Sequence, residues 1–230
     1  MRLITVAGPP SAGKTSAIIK IIDALKPEKI RAGVVKFDCL STADQEIYRK
    51  KGIEAVTGLS GNLCPDHFFV SNVQDCLEWA ENNGFSLLIT ESAGLCNRCS
   101  PHIHEALAVC VVDNLSGVNT PGKIGPMLKM ADLVLITKSD IVSQAEREVF
   151  SFRVRQNNPG ALIMHVNGIN GQGAWEAARR FAAAPLLDAQ SLAGCHLRFS
   201  MPAATCSYCL GQTRIGENFQ MGNVRKMNFR

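Results

Sequence analysis

The stretch "GPPSAGKTS", residues 8–16, restricts the possible folds of this chain more than any other. It follows a short apolar, β-prone run, RLITVAG, and enters KTSAIIKIIDALK, whose apolar residues recur at helical spacing. Strand, glycine-rich loop and helix in that order let backbone N–H groups turn inward around phosphate oxygens, with the helix N-terminus adding its positive end. Gly8, Ser11, Ala12, Gly13 and Ser16 are read as the cradle. Lys14 bridges the outer phosphates and takes part in catalysis, and Thr15 offers its hydroxyl to Mg²⁺.

The rest of the chain continues the alternation. AGVVKF, SLLITES, LAVCVVDN, ADLVLITKSD and ALIMHVNG read as strands, and TADQEIYRKKG, VSNVQDCLEWAENNG, VSQAEREVFSFRVRQ and GAWEAARRFAAA as helices. Near-continuous Val, Ile and Leu in the strands predicts an α/β fold of the P-loop NTPase type: a mostly parallel central sheet with helices on both faces. A chain of 230 residues with 46% apolar content suits one such domain, placed at residues 1–200. Residues 201–230 break the pattern, with one acidic residue, four basic ones and no long apolar periodicity, and read as an appended Cys-containing extension.

Composition excludes several roles. The apolar runs fall short of the ~20 residues a membrane helix needs, and no signal-type segment opens the chain, so a cytoplasmic protein without membrane attachment is expected. A net charge of +4, spread without basic–aromatic interleaving, argues against nucleic-acid binding. Nine cysteines form an odd set that no closed disulfide framework explains, which favours metal or redox chemistry.

Two further motifs refine the site. The strand LVLITKSD ends in Thr137-Lys138-Ser139-Asp140, close to the NKxD element of GTPases. There an aspartate accepts from the N1–H and amino group of guanine, a bidentate contact adenine does not offer. Thr137 stands in place of asparagine, and its shorter side chain is expected to brace the phosphate loop less well. HVNGINGQGAWEA follows where a base-contacting loop would lie.

In these stretches the chain resembles the SIMIBI-class GTPases of metallocentre assembly, the HypB, UreG and CobW group. GPPSAGKTS, VVKFDCLSTADQEIYRKKGIEAVTG, LLITESAG and LVLITKSD carry the likeness over residues 1–185, in matching order. The resemblance implies that Asp38 is a Mg²⁺ partner or water-orienting carboxylate and Glu91 a second catalytic acid. It also implies that Gly94 offers its N–H to the γ-phosphate.

The cysteines sharpen this reading. GNLCPDHFF places Cys64 and His67 in a loop where UreG-like proteins carry Cys-Pro-His; here Asp66 intervenes, so Cys64 carries over more directly than His67. Cys96 and Cys99 follow the switch glycine, as a cysteine does in HypB. Thiolates and imidazole suit Zn²⁺, Ni²⁺, Cu⁺ or an iron–sulfur cluster, whereas Mg²⁺ takes the oxygens near Thr15. Cys206 and Cys209 form a second knuckle, and the two pairs together can make a four-thiolate site for Zn²⁺ or [4Fe–4S], within one chain or across a dimer. Cys39, Cys76 and Cys110 are read as small buried residues, Cys195 and His196 as part of a last strand, His102 and His104 as polar loop residues, and His165 as a core histidine.

The expected function is therefore that of a GTP-hydrolysing metallochaperone. It forms a nucleotide-dependent homodimer and serves a client metalloenzyme or its maturation machinery. ATP in place of GTP would fit an activator that passes an electron from an iron–sulfur cluster to a partner. A small-molecule kinase and a non-catalytic metal sensor are further alternatives.

Overall fold

Seven parallel strands form the centre of the molecule, in the order β3-β2-β4-β1-β5-β6-β7. They are β1 (Arg2–Ala7), β2 (Ala32–Asp38), β3 (Ala55–Leu59), β4 (Leu87–Ser92), β5 (Leu107–Asp113), β6 (Leu133–Thr137) and β7 (Leu162–His165). The helices are α1 (Lys14–Leu25), α2 (Asp44–Lys50), α3 (Pro65–Asn82), α4 (Pro121–Ile124), α5 (Pro126–Lys129), α6 (Gln144–Asn157), α7 (Ala174–Ala182) and α8 (Ala189–Leu192). The computed structural model describes residues 1–199, 211–216, 218, 219 and 224–229. Cys206 and Cys209 lie outside the described residues. Among these, no helix is long and apolar enough to cross a membrane.

The period of two along each strand sorts the core. Ile4 and Val6, Val109 and Val111, and Leu133 and Leu135 face α1 and α7, whereas Cys110, Val112, Val134 and Ile136 face α4–α6 on the other side. Beside that second layer, Val35, Phe37 and Leu88 pack against α3. Phe37 meets Phe68 and Phe69 edge-on, with ring centroids 6.1 and 5.3 Å apart. Such pairs each contribute about 0.5–1.5 kcal/mol beyond their buried area, and here they fix the first turns of α3 over the end of β2.

Several local readings change. β3 is an edge strand, formed by AVTGL, which the sequence pattern does not single out as a strand. α3 begins at Pro65, well before Val70, because Pro takes the first helical position and Cys64 the N-cap. Among the described residues, His196 and Leu197 make isolated bridges, to Arg214 and Ile103, in place of the expected last strand. His102 is fully buried, its ring bonded to Thr5 Oγ1 (2.9 Å) and the Met127 carbonyl (3.0 Å). His165 is exposed at the end of β7, bonded to Ser139 and Ser151, and is no core residue. Cys76 and Cys110 are buried as expected, while Cys39 is only partly so.

The C-terminal strip returns to α3. Asn72 donates to the Arg225 carbonyl (2.9 Å) and accepts from the Met227 amide (2.7 Å), Lys226 pairs with Asp75 (3.0 Å), and Phe229 stacks beside Trp79.

Candidate phosphate and thiol site

The phosphate loop lies at the carboxyl end of β1, where ligands of parallel sheets bind. Gly8 has no room for a side chain: a Cβ would stand 2.1 Å from the Val111 carbonyl oxygen of the neighbouring strand. Gly13, at φ 84°, turns the chain into α1. The Lys14 ammonium lies over the loop, donating to the Gly8 (2.9 Å), Pro9 (2.8 Å) and Ala93 (3.4 Å) carbonyls. Burial pulls its pKa down to about 8, against the opposing pull of Glu91.

Behind Lys14 is a buried charge network. Glu91, at the end of β4, is fully buried and accepts from Thr15 Oγ1 (2.9 Å), Lys36 Nζ (2.7 Å) and Tyr48 Oη (2.7 Å). Lys36 also pairs with Asp44 (2.7 Å). Burial works against the Lys36 charge, but Glu91 and Asp44 outweigh it and raise the pKa. Burial and the Glu91 carboxylate together push the Tyr48 hydroxyl well up. Glu91 thus sits against the hydroxyl proposed for Mg²⁺, with both oxygens engaged. Asp38 ends β2 half-exposed, its carboxylate accepting from the Cys39 amide (2.8 Å). Lys36, Tyr48 and Asp44 are absent from the sequence reading. Lysine within the apolar run VVKF was the available signal, since a buried lysine needs a carboxylate partner.

At the end of β6, Thr137 braces the phosphate loop after all. Its hydroxyl donates to the Ala12 carbonyl at 2.6 Å and lies 3.2 Å from that of Val112. The expectation of weaker bracing assumed that a longer side chain was required; β6 lies close enough for a threonine to reach. Lys138 donates to the Ser11 carbonyl (3.1 Å) and pairs with Asp113. Asp140 is exposed and lines a cleft with Asn167, Gln172 and Gly173, where the HVNGINGQG loop meets α6.

The thiols gather on the opposite side of the switch. Gly94 presses against the phosphate loop so closely that a Cβ would lie 1.7 Å from the Gly8 carbonyl oxygen. Beyond it, Cys96 and Cys99 stand with sulfurs 3.8 Å apart. Ligand atoms of Cys99, Cys64 and Asp66 all lie within 4.8 Å of one another, a donor set that fits a metal ion. His67 is buried in the next position of α3 but is not one of that set. A hydrogen bond from the Cys99 thiol holds the Cys64 pKa down, while the same bond and burial push that of Cys99 up. Asp66, fully enclosed, accepts from Ser92 Oγ at 2.7 Å. Burial lifts its pKa to about 6 despite the Ser92 bond and the Lys14 charge.

The chain is similar to several known proteins. An uncharacterized protein of Methanocaldococcus jannaschii is 45% identical over 228 residues, 99% of this chain and 97% of that protein. The urease accessory protein UreG of Aliarcobacter butzleri is 28% identical over 176 residues, 70% of this chain and 88% of its own. The hydrogenase maturation factor HypB of Archaeoglobus fulgidus shares the fold, with TM-score 0.63 at 22% identity over 80% of this chain and 89% of that one. Residues 2–165 match the CobW/HypB/UreG nucleotide-binding domain, and the chain belongs to that family.

Proposed function

We propose that this protein is a GTP-hydrolysing maturation factor that binds a metal as cargo and delivers it to a client metalloenzyme, its metal affinity set by the bound nucleotide. One observation carries the reading: a single segment, Ser92–Cys99, touches the phosphate loop at Gly94 and the thiol site at Cys96 and Cys99. A γ-phosphate that draws on the Gly94 N–H also moves the sulfurs that follow it.

The residues divide the work. Gly8, Ser11, Ala12, Gly13 and Ser16 present the cradle, and Lys14 exchanges its carbonyl partners for phosphate oxygens. Thr15 would hold Mg²⁺ through its hydroxyl oxygen while its O–H donates to Glu91, so Glu91 holds that hydroxyl in position. Asp38, at the rim, orients the attacking water, and positioning of this kind is most of what phosphoryl transfer requires. Asp140 accepts from guanine beside Lys138, with Thr137 tying the base side to the phosphate loop. Cys64, Cys96 and Cys99 supply thiolates for Zn²⁺, Ni²⁺ or a cluster.

Cys206 and Cys209 are proposed to join them, from an extension beginning near residue 201. Just before this extension, Arg198 N donates to the His102 carbonyl (2.9 Å) in the run after Cys99, and Leu197 N donates to the carbonyl of Thr213 (2.9 Å) within the extension. The relatives' names, urease accessory protein and hydrogenase maturation factor, support a metalloenzyme client for a cytoplasmic, nucleotide-dependent homodimer.

Metal affinity measured with GDP and with a non-hydrolysable GTP analogue tests the coupling. A difference of tenfold or more is expected, and equal affinities would remove it. ATP hydrolysis matching that with GTP would transfer the reading to adenine.

A further inference from the structure

We infer that the Asp66 carboxylate, not the His67 imidazole, joins Cys64 and Cys99 as a protein ligand of the cargo metal, and that Ser92 positions it. This rests on the metal-binding reading above and changes one member of the ligand set, in which the sequence placed His67 with Cys64, Cys96, Cys99, Cys206 and Cys209.

The placement follows from the start of α3. Pro65 opens the helix after the Cys64 N-cap, so Asp66 and His67 project about 100° apart around the first turn. Asp66 points to Cys64 and Cys99, and His67 leaves the set. A fully enclosed carboxylate beside two thiols, with one hydroxyl donor, carries an unmet demand for positive charge. A divalent cation meets it. The Asp66 carboxylate and thiolates from Cys64 and Cys99 bring three negative charges to such an ion, with the Cys96 sulfur 3.8 Å from that of Cys99. An oxygen donor also separates the candidate cargoes. Cu⁺ gains little from a carboxylate, whereas Zn²⁺, Ni²⁺ and Co²⁺ accept mixed sulfur and oxygen ligands.

Ser92 extends the site toward the nucleotide. The Gly94 amide donates to Ser92 Oγ (3.4 Å), and Ser92 Oγ donates to Asp66 Oδ1 (2.7 Å). When the Gly94 N–H turns to a phosphate oxygen, Ser92 loses that donor and its hold on the metal-binding carboxylate changes. The switch thereby reaches the metal through α3 as well as through Cys96 and Cys99. Ser92 is a positioning residue, because it acts on the metal through Asp66.

Co²⁺ is the probe, titrated into the full-length protein without oxygen. Absorption bands report thiolate ligation and coordination geometry, and competition with a chelator reports affinity. For Asp66→Asn the expected result is a shifted visible spectrum and Co²⁺ binding weakened at least tenfold, with Cys64→Ser losing thiolate-to-metal intensity. Asn is nearly isosteric and still accepts from Ser92, so the fold is expected to persist. Asp66→His, which restores a Cys-Pro-His sequence, is expected to regain affinity with a spectrum of nitrogen ligation. Ser92→Ala is expected to retain Co²⁺ binding but to reduce the ratio of affinities between GTP-analogue and GDP states. An Asp66→Asn protein that matches the wild type in affinity and spectrum overturns the inference while leaving the metal-binding reading intact. A wild-type protein that takes up no Co²⁺ overturns both. Should Asp66→Asn fail to fold, a folded Asp66→His protein with an unchanged spectrum overturns the inference equally.

Discussion

Gly94 and Gly8 meet backbone against backbone, the Cβ that Gly94 lacks falling 1.7 Å from the Gly8 carbonyl oxygen. Gly94 also has φ 73°, where other residues are strained by about 1–3 kcal/mol. Gly94→Ala is therefore expected to displace the phosphate loop as well as the switch. Calorimetry should show affinity for a GTP analogue falling by tenfold or more, with GDP affected less. Equal losses for both nucleotides would place Gly94 outside γ-phosphate sensing.

Glu91→Gln removes the charge that balances Lys36, leaving Asp44 as its remaining carboxylate. Breaking a buried ion pair on one side costs about 3–5 kcal/mol, and the Asp44 pair should hold the loss to the lower end. Denaturant unfolding gives this number. Tyr48→Phe, which deletes one donor to the same carboxylate, should cost only about 1–2 kcal/mol and leave nucleotide affinity unchanged.

Asp140→Asn tests the base. An asparagine offers an N–H where guanine has an amino group but xanthine has a second carbonyl oxygen. Affinity for GTP is expected to fall by tenfold or more while that for xanthosine triphosphate rises. An unaltered preference would show that the Thr-Lys-Ser-Asp run does not read the base.

His102 makes folding sensitive to acid. Burial lowers its pKa from 6.5 to about 4, so the unfolded chain takes a proton on this ring well before the folded one does. Its contribution is present above pH 6.5 and is lost as pH falls toward 4, by about 3 kcal/mol. Asp66 has the opposite slope, because its raised pKa favours the folded protein in acid. Comparing stability profiles of the wild type and His102→Gln cancels the Asp66 effect. The difference should shrink steadily below pH 6.5, and a pH-independent difference would contradict the assignment.

The parts legible in the sequence are those that short-range pattern decides. Strand β1, the glycine-rich turn and helix α1 follow one another within 25 residues, and the buried strands announce themselves through apolar runs. β3 was not legible, because AVTGL gains its place only by pairing with β2 at the sheet edge. The Glu91 network was equally hidden, since Lys36 and Tyr48 lie 55 and 43 residues away in sequence. The choice between Asp66 and His67 depended on where a helix starts, and moving that start by one residue rotates the facing side chain by about 100°.

The clamp that Asn72 closes on Arg225 and Met227 ties the C-terminal strip to the helix that Cys64 caps. Shortening the chain after residue 223 would take away the Arg225 and Met227 partners of Asn72, leaving it the Phe68 carbonyl, and would remove the ring beside Trp79. What begins as trimming an end thus becomes a change in the footing of Cys64 and Asp66, and cargo retention would register it before any loss of GTP binding.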